Sequence, residues 1–123
     1  MQVPEEAKYY GDFTLKSGYQ GIIEIFKFFI PDALFCVNDY MAAGAMMYIN
    51  EIGLKIPNDI SVVGYDNFDI APVLSPPLTT VDNRFYYLGE YMASKLIDLI
   101  SHRTSDIHVQ VKPFLVNRNS VRS

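Results

Sequence analysis

Ala33-Leu34-Phe35-Cys36-Val37 is an unbroken run of five apolar residues that stops at Asn38-Asp39. Ile60-Ser61-Val62-Val63-Gly64 is a second run of the same kind, and it stops at Tyr65-Asp66-Asn67. Short apolar runs without alternation are the mark of strands covered on both faces, as in a parallel sheet. Between them, residues 40–52 read as a helix that Asn38 or Asp39 caps and Gly53 closes. Upstream, Lys8-Tyr9-Tyr10-Gly11-Asp12-Phe13 is a short β-prone run. Thr14 caps a helix over 15–29, in which Tyr19, Ile22, Ile23 and Phe26 recur at helical spacing, and Pro31 ends it. The order is β-α-β-α-β. It predicts an α/β fold: a parallel doubly wound sheet of three or more strands with flanking helices.

Downstream the pattern changes. Residues 65–78 form a loop with Pro72, Pro76 and Pro77, and Thr79-Thr80-Val81 is a brief β-prone stretch. Residues 84–101 read as a helix with Phe85, Leu88, Met92, Leu96 and Leu99/Ile100 on one stripe. Residues 108–112 alternate and read as a strand, and Phe114-Leu115-Val116 is a candidate for another.

With 50% apolar and 20% charged residues, the chain is not of the disordered class. The net charge of −4 argues against a phosphate-gripping surface. Residues 101–123 carry Arg103, Lys112, Arg118 and Arg122 against Asp106 alone. That basic end reads either as a solvated strand and tail or as a nucleic-acid contact. Cys36 is the single cysteine, so no intrachain disulfide forms. Residues 1–6 lack the basic start and apolar core of a secretory signal, and no apolar run approaches a membrane span. A cytoplasmic location and no membrane partner are the expectation.

Ligands of open α/β sheets bind beyond the carboxyl ends of the strands. Three such ends carry Phe13, Asn38 and Asp66, and in a parallel sheet all three lie on one edge. An aromatic face, an amide and a carboxylate suit a sugar or a nucleoside: the carboxylate accepts hydroxyl protons and the ring covers C–H groups. Each has a plainer reading: Asn38 and Asp39 as helix caps, Asp66 as a turn residue, Phe13 as core, Asp12 as a local acceptor. Little favours catalysis. His102 and His108 lie away from the strand ends, and no Cys or His sits at metal-ligand spacing. Cys36 is mid-strand, and no nucleophile elbow or phosphate loop occurs. No cofactor, no metal and no enzymatic activity are expected. A phosphotransfer site using Asp39, Asp66 and Mg²⁺ is the enzymatic rival.

Four segments carry a family resemblance. They are Gly11-Asp12-Phe13-Thr14 with Ser17-Gly18-Tyr19, residues 31–39 with Met41-Ala42-Ala43-Gly44-Ala45, residues 53–67, and residues 74–81 with Leu88-Gly89. In this order and spacing they resemble the C-terminal portion of the effector-binding core of LacI/GalR-type transcriptional regulators, a periplasmic-binding-protein-like type I fold. The resemblance implies that Phe13 is an aromatic shelf, Asn38 a hydroxyl partner and Asp66 the principal hydroxyl acceptor for a small sugar-like effector. It implies a dimer surface on the second helix, with Met46, Met47, Ile49 and Asn50, and on the 67–75 loop. It also implies that residues 1–78 belong to one subdomain, and that residues 79–123 form a crossover helix and strands that complete the other. The DNA-reading helix-turn-helix and the opposite jaw of the cleft fall outside this stretch. The exposed sheet edge and the 84–101 stripe then predict either a homodimer or an exchange of elements between chains. The rival from the same superfamily is a periplasmic sugar-binding protein of an uptake system.

Overall fold

The computed structural model describes residues 3–101 and 108–122. Two helices come from the N-terminal half, α1 (Leu15–Phe26) and α2 (Asp39–Glu51), and strand β1 (Ala33–Phe35) lies between them. Then follow β2 (Ser61–Tyr65), β3 (Thr79–Asp82), α3 (Phe85–Ile100) and β4 (Phe114–Val116). The sheet order is β1-β2-β3-β4; the first three strands are parallel and β4 runs antiparallel to β3. The fold is therefore α/β with a parallel-dominant, mixed sheet.

Local chemistry sets the element ends as expected. The Thr14 side chain accepts from the Ser17 N–H at 3.1 Å, and the Asn38 side chain accepts from the Met41 N–H at 2.8 Å. Gly53, with φ of 86°, closes α2 in the left-handed region where glycine is unstrained. α1 and α2 pack closely because Gly18 and Gly44 sit where any Cβ would strike the backbone of the opposite helix. The core lies between α2, α1 and the sheet, built from Ile22, Ala42, Met46, Ile49, Ile60, Val62 and Leu78, all essentially buried.

Several expectations are corrected. Residues 8–13 form no strand: Tyr9 packs against Gly21 of α1, and an apolar groove of about 620 Å³ separates this segment from β1. A backbone segment becomes a strand only with a neighbour at pairing distance, and here the groove intervenes. Residues 33–37 are not covered on both faces, since β1 is an edge strand with Phe35 61% and Val37 52% exposed. β1 thus leaves one side unpaired, the open edge foreseen for the sheet. The described residues of 108–112 are not a strand either. The short β3 is already paired with residues 114–116, so alternation there finds no partner. α3 forms as expected and has no buried residue, with Phe85, Met92, Leu96, Ile97 and Ile100 all exposed. The sheet continues across residue 78 through β3 and β4, and Ser120 returns to donate from Oγ to the Val62 carbonyl at 2.6 Å. His102, Arg103 and Asp106 lie outside the described residues.

Candidate functional site

The carboxyl ends of β1, β2 and β3 share one rim because the three strands are parallel. In the β1–β2 register Phe35 lies opposite Val63, and Asn38 and Asp66 follow the ends of these neighbouring strands. Phe13 reaches this rim without a strand of its own. Its carbonyl accepts from Asn38 Nδ2 at 2.9 Å, its φ is 67°, and its ring is 64% exposed. Asp12 sets up the approach, its Oδ1 accepting from the Thr14 N–H at 3.1 Å and the Thr14 hydroxyl at 2.6 Å. Asn38 does two structural jobs at once, capping α2 and holding Phe13, and is itself 6% exposed.

Asp66 sits at a sharp bend, with φ of 95°, followed by Asn67 at 53°. Neither residue is glycine, so the bend is held by its surroundings. The Asp66 N–H donates to the Val81 carbonyl at 2.9 Å. Asn67 donates from Nδ2 to Asp82 at 2.9 Å and accepts from Arg118 Nη2 at 2.8 Å. Arg118 also donates to the Leu78 carbonyl at 2.7 Å. The Phe68 N–H donates to Asp39 Oδ2 at 2.7 Å, and the Thr80 hydroxyl donates to Asp39 Oδ1 at 2.6 Å. A loop tied at successive residues presents a preorganised carboxylate. Burial raises the Asp66 pKa above the ordinary carboxylate value, opposed by the amide of Asn83, whose Nδ2 donates to Asp66 Oδ1 at 2.7 Å. Beside Asp66 lies a cleft of about 610 Å³, lined also by Phe68, Asp69, Arg84, Tyr86 and Phe114.

Three residues take roles that differ from the sequence reading or were missed by it. Asp39 is no cap and no open ligand: it is 0% exposed and both oxygens bond within the chain, which removes it from any Mg²⁺ phosphotransfer site. Burial raises its pKa, and the bonds from Thr80 and Phe68 oppose that. Arg118, counted with the basic end, is a bracket for the loop rather than a free surface cation. Asn83, at the end of the third parallel strand, was not singled out. Asn67 and Arg118 are 51 positions apart, a separation that no local pattern reports. Cys36 is buried, and burial first, then nearby Asp39, pushes its thiol up to about 12. Among the described residues, no group of three or more metal-type ligands gathers, and no helix is long and apolar enough to cross a membrane.

The expected dimer surface is corrected. Met46 and Ile49 are 2% and 0% exposed and belong to the core. At about 100° per residue the four span nearly half of the helix circumference, and the part of that arc carrying Met46 and Ile49 faces the core. Met47 and Asn50 point outward.

Residues 4–121 match the model of the periplasmic binding protein-like domain. The chain belongs to that family. Within it, the chain is similar to LacI-type regulators. It is 41% identical to the HTH-type transcriptional repressor PurR of Pectobacterium carotovorum subsp. carotovorum (strain PC1), over 98% of this chain and 36% of the repressor. The transcriptional regulator CelR, solved as its cellobiose complex, superposes with a TM-score of 0.88 at 31% identity, over 98% of this chain and 37% of that one. The lac repressor dimer bound to operator and the anti-inducer ONPF gives 0.84 at 34% identity, over 92% and 40%. The chain thus spans little more than a third of the curated relatives' length.

Proposed function

We propose that the chain is one effector-binding lobe of a cytoplasmic LacI-type transcriptional regulator, and that it binds a small sugar-like molecule at the Phe13–Asn38–Asp66 rim without chemistry. The observation that carries this is the braced, partly dehydrated Asp66 carboxylate at a sheet rim that also carries Asn38, which holds the exposed Phe13 by its carbonyl. A carboxylate in that setting accepts hydroxyl protons strongly, and Phe13 covers the sugar's C–H face. Asn38 retains one amide proton and the free lone pair of its carbonyl oxygen for a hydroxyl. The cellobiose complex of CelR supports the ligand class.

In the complete regulator, an opposing lobe closes on the effector, and differential affinity for the closed form shifts a dimer between operator-bound and released states. Operator contact belongs to a helix-turn-helix outside this chain. α3 (Phe85–Ile100) then reaches toward the second lobe, which would cover its apolar face. The dimer surface centres on Met47, Asn50 and the 67–75 loop, where Val73 is 76% exposed. The repressor relatives favour this reading over an uptake-system binding protein.

Saturation-transfer NMR of the chain against mono- and disaccharides, cellobiose included, tests the reading. Weak sugar signals that vanish in Asp66→Ala are expected. No responding sugar, or a response indifferent to Asp66→Ala, overturns it. Light scattering on the chain should show a dimer; a clean monomer at high concentration contradicts the self-association.

A further inference from the structure

Asn83 follows β3, so its side chain rises at the same rim as Asn38 and Asp66. Its Nδ2 donates to Asp66 Oδ1 at 2.7 Å. Its own Oδ1 is buried, with no hydrogen-bond partner among the described residues. A buried amide oxygen without a partner is costly, so the side chain is not held in place by its acceptor end. Its one side-chain hydrogen bond among the described residues goes to Asp66. That bond is strongest when Asp66 is ionised, because a charged acceptor strengthens an N–H donor's bond. The other Asp66 oxygen, Oδ2, accepts from no side chain or backbone group among the described residues.

We infer that Asn83 is a positioning residue for the binding site: it fixes the Asp66 carboxylate through Oδ1 and leaves Oδ2 as the open acceptor for a ligand hydroxyl. The inference rests on Asp66 being the principal ligand acceptor. Asn83 itself touches no ligand. It acts through the orientation and charge of its neighbour. Because it lies between β3 and α3, it also ties Asp66 to the segment that leads into the exposed helix.

The test is the titration of Asp66 followed at its carboxyl carbon by NMR, in the parent chain and in Asn83→Leu, which keeps the branching at Cγ and removes the donor. Loss of a hydrogen bond to the charged form moves the Asp66 midpoint upward, and Asn83→Asp moves it further by like-charge repulsion. Asp12, remote from Asn83 on the chain and bonded to Thr14, serves as the internal control and should not move. Where Asn83→Leu fails to fold by circular dichroism, Asn83→Ala replaces it. An Asp66 midpoint equal to the parent's in a folded variant overturns the inference, since a merely structural asparagine changes stability and leaves that midpoint alone. A shifted midpoint with no responding sugar refutes the ligand reading and leaves the positioning role standing. A sugar response through Asp66 with an unmoved midpoint refutes the positioning role alone.

Discussion

Replacing Asp39 by alanine removes the acceptor that joins three parts of the rim: the start of α2, strand β3 and the loop after Asp66. Two donors lose their partner, the Thr80 hydroxyl at 2.6 Å and the Phe68 N–H at 2.7 Å, and Thr80 is 0% exposed. Each hydrogen bond to a charged acceptor contributes about 1.5–3 kcal/mol, and stranded buried donors add to the loss. Against this, the variant no longer carries a buried carboxylate, whose desolvation is the main cause of its raised pKa. The balance is a loss of about 2–4 kcal/mol for Asp39→Ala. Asp39→Asn, which keeps an acceptor for Phe68 and turns an amide toward the Thr80 oxygen, loses about 1–2 kcal/mol. The pH dependence has a definite sign. The folded-state pKa lies above the unfolded one, so the folded chain holds the proton more tightly between them. The Asp39 contribution is fully present below the ordinary carboxylate range and declines as pH rises through the folded pKa. The parent should therefore lose stability relative to Asp39→Asn over that window. Urea denaturation followed by far-ultraviolet circular dichroism reads both effects; the chain has no tryptophan for fluorescence. Stability of Asp39→Ala within about 0.5 kcal/mol of the parent, the range of an ordinary surface change, would refute the bracing role.

Two further outcomes follow from the packing. Gly44→Ala places a methyl group against the Leu15 carbonyl and the Tyr19 N–H of α1, forcing the helix pair apart. It should destabilise by about 1–3 kcal/mol despite alanine's better helix propensity, as measured by urea denaturation. Cys36, buried and with its thiol pushed up to about 12, should react with a disulfide reagent at neutral pH only as fast as the chain opens. Rapid labelling of the native chain would contradict its place in the core.

The parallel pair β1 and β2 was legible because apolar runs flanked by caps and turn residues are local signals, whereas the third parallel strand is residues 79–82, not the expected 8–13. Also legible were the ends of α1 and α2, where Thr14, Asn38 and Gly53 act on backbone within a few positions. The misreadings share a cause: strand formation and burial depend on neighbours that a local pattern does not see. Residues 8–13 and 108–112 have strand-like composition and no partner, whereas β1 has a buried-type sequence and an open edge. At the candidate site, Asn38 and Asp66 follow β1 and β2 as their positions suggested, whereas Phe13 follows no strand and is placed by the Asn38 bond to its carbonyl. The bracing of Asp66 was not legible. Asp39, Asn83 and Arg118 reach it across long separations, and their residue types at those places fit equally well with a cap, a turn and a surface cation. Nor did periodicity settle α2, which is apolar around most of its circumference, so the split between core Met46 and exposed Met47 emerges only from packing.

A crystal of the chain soaked with whichever saccharide responds in solution puts the binding rim to its most direct test. The predicted result is sugar density with a hydroxyl within hydrogen-bond distance of Asp66 Oδ2 and a C–H face over the Phe13 ring. Density seated instead in the apolar groove along β1, with the Asp66 carboxylate untouched, would contradict it.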